Sequence, residues 1–250
     1  MVKLQFVELA SRVQFPLATP KNMQKYTSAQ ADEVEKLVKP IYARIKNWAH
    51  GWLHVKNVAK AAEDLAKLEG VDPVLCKIAG YCHDLGRVDE EERGLVNPEP
   101  LALSHHAEFS VRSTREILQK VGIKGGDADQ ILEAVRVHNK RKYLGENKIA
   151  IILQDADRTD GFGKLAMLRF ASFNCEMPVE EPQTDEDIDR ELGEIKEMFK
   201  RHKKLCDKMV GILEYAFGWI DELANTESVK DYIKEGYEFN KKFLEEIESY

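Results

Sequence analysis

The sequence predicts an all-α fold, a helical bundle, and three observations lead there. Ala, Leu, Glu and Lys dominate its 250 residues, with only 15 Gly, 8 Pro and 8% aromatic residues, so helix formers outnumber strand formers. Val55, Val58, Ala59, Ala62, Leu65 and Ala66 recur at helical intervals. Glycines punctuate the later runs at Gly122, Gly125, Gly126 and Gly145. A chain of this length buries a substantial core and suits one domain with a helical extension better than two full domains.

Residues 1–27 read as an N-terminal arm. A helix starts near Ser28 with Asp32 and Glu33 in its early turns, and Pro40 breaks or kinks it before a second piece at 41–48. The next helix spans 52–68 and stops at Gly70. Asp72 and Pro73 supply an N-cap and a first-turn proline for a helix that runs through Ile78 into His83-Asp84, with Gly86 ending it. Residues 90–100 are polar with two prolines and read as a loop that could overhang this pair. Helices follow at 104–121, 127–138 and 148–160, completing a helical domain at 28–175. The acidic stretch 176–187 reads as a long loop or partly disordered insertion. Two amphipathic helices, 188–223 and 228–247, form a C-terminal block (188–250) that packs on the core or on a second subunit as a homodimer.

A net charge of -7 with pI near 5.6 argues against a duplex nucleic acid partner, which needs a broad basic face. Small anionic substrates stay open, because a local Arg and Lys cluster can override the global sign. Cys76, Cys82, Cys175 and Cys206 show no metal or disulfide spacing, and no apolar run reaches a membrane span or signal pattern. The expectation is a cytoplasmic protein with reduced thiols and no membrane partner.

The most informative residues are His83-Asp84 in A-G-Y-C-H-D-L-G-R (79–87). An imidazole and a carboxylate side by side at the end of an apolar helix form the kernel of a metal site. Upstream, His50 and His54 share a helix face in A-H-G-W-L-H-V-K-N-V, where either alone reads more naturally as a capping or packing residue. Downstream lie His105 and His106 in H-H-A-E-F-S, His138 in A-V-R-V-H-N-K-R, and the run I-L-Q-D-A-D-R-T-D (152–160). His105 and His202 read as surface residues.

The order H…HD…D on an all-α chain resembles the HD-domain superfamily of metal-dependent phosphohydrolases over residues 49–167, through W-L-H-V-K-N-V, G-Y-C-H-D-L-G-R and D-A-D-R-T-D. The resemblance implies one divalent ion (Mn, Fe, Mg, Ni, Co or Zn) on His54, His83, Asp84 and Asp157. Asp157 is preferred to Asp155 because it heads an A-D-x-x-D pattern; the two lie about 200° apart on a helix. His106 and His138 match positions that line the pocket in one-metal members and bind a second ion in two-metal members. The ion would acidify water and polarise a phosphoryl oxygen, with Asp84 also orienting the water. Arg87, Arg158 and the triplet Lys140, Arg141 and Lys142 are candidates to neutralise the phosphate, and Asp160 could bond a ligand imidazole or serve only as a cap or surface residue.

Departures narrow the substrate. Arg87 and Val88 stand where the stringent-response nucleotide hydrolases carry acidic residues, the G-Y-P signature of cyclic-dinucleotide phosphodiesterases is absent, and Gly51 replaces a common Asp. The implied activity is hydrolysis of a small phosphate ester such as a nucleotide. Two other readings stay open: a di-iron oxygenase using all six His and Asp positions, and a non-catalytic module braced by metal.

Overall fold

The computed structural model describes residues 25–95 and 105–250, and among these there is no strand. Its helices are α1 (Ser28–Tyr42), α2 (Trp52–Glu69), α3 (Pro73–Cys82), α4 (Arg87–Glu92), α5 (His106–Lys120), α6 (Gly126–Val137), α7 (Lys148–Thr159), α8 (Lys164–Phe173), α9 (Asp185–Arg201), α10 (Lys203–Leu223) and α11 (Ser228–Glu248). A 3-10 turn, Trp48–His50, precedes α2. The N-terminal arm lies outside the described residues up to position 24, as does most of the polar loop after α4.

Helices α2 and α3 form the centre. Their backbones touch at Gly80, where a Cβ would lie 2.6 Å from the Ala59 Cα, so the position excludes any side chain. Around them α1, α5, α6 and α7 bury a continuous apolar cluster that includes Val55, Leu65, Ile78, Ile131 and Leu153. A second cluster, with Met167, Leu192, Phe199, Met209 and Phe243, joins α8, α9, α10 and α11. Helix α11 connects the two by packing on α2, α7 and α8.

The local signals act as expected at several ends. Asp72 Oδ1 accepts from the Val74 and Leu75 amides at 2.9 and 3.2 Å, capping α3. Gly70 closes α2 in the left-handed conformation, φ 67°. Asn147 caps α7 through the Ile149 amide at 3.0 Å.

Five expectations need correction. Pro40 sits inside α1 without ending it on the spot: it forfeits the single bond its N–H would give the Lys36 carbonyl, and the chain leaves the helix two residues later; residues 43–47 are not helical. Residues 90–92 are helical, with Glu90 buried. Helix α8 has no counterpart among the predicted helices, and it packs with the C-terminal ones. The acidic stretch is anchored: Met177 and Val179 are buried, and the Trp48 Nε1 donates to the Val179 carbonyl at 2.7 Å. The predicted helix 188–223 is two helices broken at His202, whose extended backbone (φ −130°, ψ 79°) no glycine or proline announces.

Candidate metal centre

Five elements bring the sequence-predicted residues together. Helix α2 presents His54, the end of α3 presents His83 and Asp84, α5 opens with His106, and His138 closes α6. Asp157 comes from the last turn of α7. All but Asp157 are buried, and its side chain is 24% exposed, which puts the opening on that side. The turn after Asp84 is held on α5: the Gly86 amide donates to Ser110 Oγ at 2.8 Å, and a Cβ on Gly86 would stand 2.1 Å from the His106 carbonyl oxygen.

The ring orientations follow from the acceptors around them. His83 Nδ1 lies 2.7 Å from the Gly80 carbonyl, and His138 Nδ1 lies 2.7 Å from the Val135 carbonyl. His54 Nδ1 lies 2.7 Å from Asp160 Oδ2. Oxygens of these kinds accept, so each Nδ1 carries a proton, and in a neutral ring Nε2 then keeps the lone pair. Burial, reinforced by the Arg169 guanidinium, holds the His54 pKa well below its ordinary value, so that ring is neutral.

The consequence is a convergence of electron pairs with no hydrogen between them. His54 Nε2 and His83 Nε2 are 3.2 Å apart, and Asp157 Oδ1 lies 3.5 Å from the first and 3.7 Å from the second. Asp84 Oδ2 is 3.7 Å from both rings. Adjacent ligand atoms at about 2.1 Å from one ion stand about 3 Å apart, so this set fits a cation after small closure. Without one, these lone pairs repel. Burial works against the Asp84 carboxylate, yet the Arg87 guanidinium and the surrounding imidazoles hold its pKa well below the usual range.

The other oxygen, Asp84 Oδ1, has no hydrogen bond and lies 3.3 Å from His106 Nε2 and 3.5 Å from His138 Nε2, which are 3.1 Å from each other. A second cation, or one proton shared by the two rings, could sit among these three atoms. Arg87 Nε is 3.5 Å from the same oxygen, buried and without a hydrogen bond.

Arg158 and, with it, Asp155 are turned elsewhere. Arg158 is buried, donates to the Leu223 and Arg141 carbonyls at 2.5 and 2.7 Å, and lies 4.3 Å from the Trp219 ring centre. One residue past Asp157 is about 100° round the helix, which carries its side chain to the other face. Asp155 shares that face, where Asn225 and Thr226 occupy its oxygens. Lys140, Arg141 and Lys142 are exposed; Arg141 reaches toward Glu222 at 3.7 Å and Lys142 toward the Ala224 carbonyl at 3.4 Å.

Sequence reasoning misses Glu90 and Arg169 and leaves the roles of Asp160 and His50 open. Glu90 accepts from the His105 and His106 amides at 2.7 and 2.8 Å, fixing the start of α5. Asp160, on His54, is itself held by Asn57 Nδ2 at 3.1 Å and by Arg169. His50 stands at the rim, its Nδ1 3.3 Å from Asp84 Oδ2.

Residues 51–161 match the family model of the HD domain. Among solved structures, the chain is similar to Bacillus subtilis YpgQ in complex with ADP, at 20% identity and TM-score 0.54 over 89% of this chain and 95% of that one. A Lactobacillus plantarum protein is 17% identical with TM-score 0.53, over 90% and 97% of the two chains. These two are likenesses of fold. A protein described as a predicted HD superfamily hydrolase from an uncultured Thermotogales bacterium is 24% identical with TM-score 0.47, over 68% and 89%. No curated protein matches the chain.

Proposed function

With residues 51–161 an HD domain as the premise, we propose that the protein is a metal-dependent phosphohydrolase acting on a small phosphate ester, with nucleotides the favoured class. One observation carries this reading: the hydrogen-free convergence of His54 Nε2, His83 Nε2, Asp84 Oδ2 and Asp157 Oδ1. These four residues would hold one divalent ion, from Mn, Fe, Co, Ni, Zn or Mg. When bound, the ion supplies Lewis acidity toward a phosphoryl oxygen and toward water.

The chain's own groups do the rest. The neutral ring of His54 presents a fixed lone pair, so no proton must leave it. Arg87, held by Glu90 at 3.2 Å with its Nε 3.5 Å from Asp84, offers a guanidinium to the phosphate charge, and Asp84 Oδ1 offers an acceptor that orients a water hydrogen. The choice of nucleotides draws on the Bacillus subtilis relative, whose structure is a complex with ADP.

The trio of Asp84 Oδ1, His106 and His138 favours a second reading, a di-iron oxygenase using all six residues. The deciding experiment measures metal content, then phosphate release from a panel of nucleotides and sugar phosphates with each metal. Phosphate release that a chelator abolishes is expected. Metal-loaded protein that releases no phosphate but consumes O₂ with two irons per chain would replace the first reading with the second, and neither activity would leave a metal-braced module.

A further inference from the structure

The rim of the cluster holds an imidazole that the H…HD…D pattern leaves out. His50 Nδ1 is buried and forms no hydrogen bond, although Asp84 Oδ2 is only 3.3 Å away. The two atoms are close but poorly aligned for a hydrogen bond, so both can turn to a shared cation. Ligand atoms of His50, His54 and Asp84 all lie within 4.8 Å of one another, and Asp84 Oδ2 is the oxygen that also faces His54 and His83.

The ring is placed there by restraints unrelated to packing convenience. Asn47 Oδ1 accepts from the Ala49 amide at 3.0 Å, and Arg169 Nε donates to the Ala49 carbonyl at 2.6 Å, so the turn is held from both ends. Phe173 meets the ring edge to face at 4.4 Å and fixes its plane. A packing histidine would bond its buried nitrogen to a well-aligned neighbour; this one faces only the Asp84 carboxylate, at 3.3 Å.

We propose that His50 is a further ligand of the ion held by His54, His83, Asp84 and Asp157, entering through Nδ1 on the Asp84 Oδ2 side. This rests on the metal-site reading above and makes the donor set three imidazoles and two carboxylates. Such a set selects Mn, Fe, Co, Ni or Zn against Mg, which takes oxygen ligands and sheds water reluctantly.

The test titrates Co²⁺ into the metal-free full chain, read by visible absorption and by competition with a chromophoric chelator. It compares the unmodified protein with His50→Phe, which keeps the aromatic packing on Phe173 without a nitrogen, His50→Ala, and His54→Ala. His50→Phe is expected to melt like the unmodified protein when metal-free, to bind Co²⁺ at least about tenfold more weakly, and to show more intense visible bands as the coordination number falls. Added imidazole should return the His50→Ala spectrum toward the original. The proposal is overturned if His50→Phe keeps the original affinity and spectrum while His54→Ala loses Co²⁺, an outcome that leaves the metal site itself intact. Weaker binding with an unchanged spectrum and no imidazole recovery also overturns it, as a structural effect. If His54→Ala binds like the unmodified protein, the metal-site reading fails, and this proposal with it.

Discussion

Asp155 and Asp157 lie two positions apart on α7, and their surroundings are opposite in kind. Asp155 accepts from the Asn225 amide and side chain, from the Thr226 amide and hydroxyl, and faces Arg158 at 3.7 Å. Asp157 faces two imidazole lone pairs and no donor hydrogen. In the first, both carboxylate oxygens have donors; the second is a set of acceptors waiting for a positive centre. Buried charge alone therefore does not mark a site. The informative quantity is whether the polar atoms around it satisfy one another.

That contrast breaks most sharply on substitution at Asp157. Asp157→Asn should lose the ion and about 10³-fold in kcat/KM for phosphate release, since metal catalysis contributes several kcal/mol. The same variant, metal-free, should be at least as resistant to urea as the parent, because an amide donor enters a cluster of acceptors. A lower urea midpoint for metal-free Asp157→Asn would mean that the clustered lone pairs do not strain the empty site.

Asp155→Ala should show the converse. Leaving Arg158 buried without its carboxylate costs about 3–5 kcal/mol, measured by urea unfolding of the metal-free protein, while the folded fraction keeps its metal affinity. Loss of metal binding in folded Asp155→Ala would blur the two faces. Between the extremes lies Asp160→Asn, which weakens the acceptor on His54 Nδ1; a fall of about 10–100-fold in metal affinity is expected from competition titration, with a smaller change in melting temperature.

A milder effect separates the faces by pH. Burial lowers the pKa of His50 and of His106 to about 4, and His54 is also held low, whereas in the unfolded chain these rings titrate near 6.5. Between those values the unfolded state binds more protons. Chelator-treated protein should therefore be most stable above about pH 6.5 and lose stability as pH falls toward 4, with His138, whose pKa is raised, offsetting part of this. Bound metal should flatten the dependence from about pH 7 to about 5.5, read as melting temperature against pH. An equally steep decline with metal present would place the titrating groups elsewhere.

Much of the fold was legible because its signals are local. The apolar period of α2, the Asp72-Pro73 start of α3 and the glycine stop at Gly70 each act within a turn or two. His54, His83-Asp84 and Asp157 were legible through their order in the chain, which the fold turns into proximity. What escaped depends on rotation and distance. Arg158 is next to Asp157 in sequence, and one step of helix sends it to Trp219. Glu90 and Arg169 reach their partners from elements whose arrangement no spacing encodes, and the break at His202 has no residue type to mark it.

Arg169 carries a consequence for modularity. The matched HD segment ends at Gly161, yet the guanidinium that grips Asp160 and the Ala49 carbonyl comes from α8, eight residues later, inside the second apolar cluster. A chain cut after Gly161 would keep every residue of the recognisable motif and lose the clamp that sets the tilt of the His54 ring. The portion that can be recognised in sequence is thus shorter than the portion that must be inherited together, and transplanting the motif without α8 would carry the letters of the site but not its alignment.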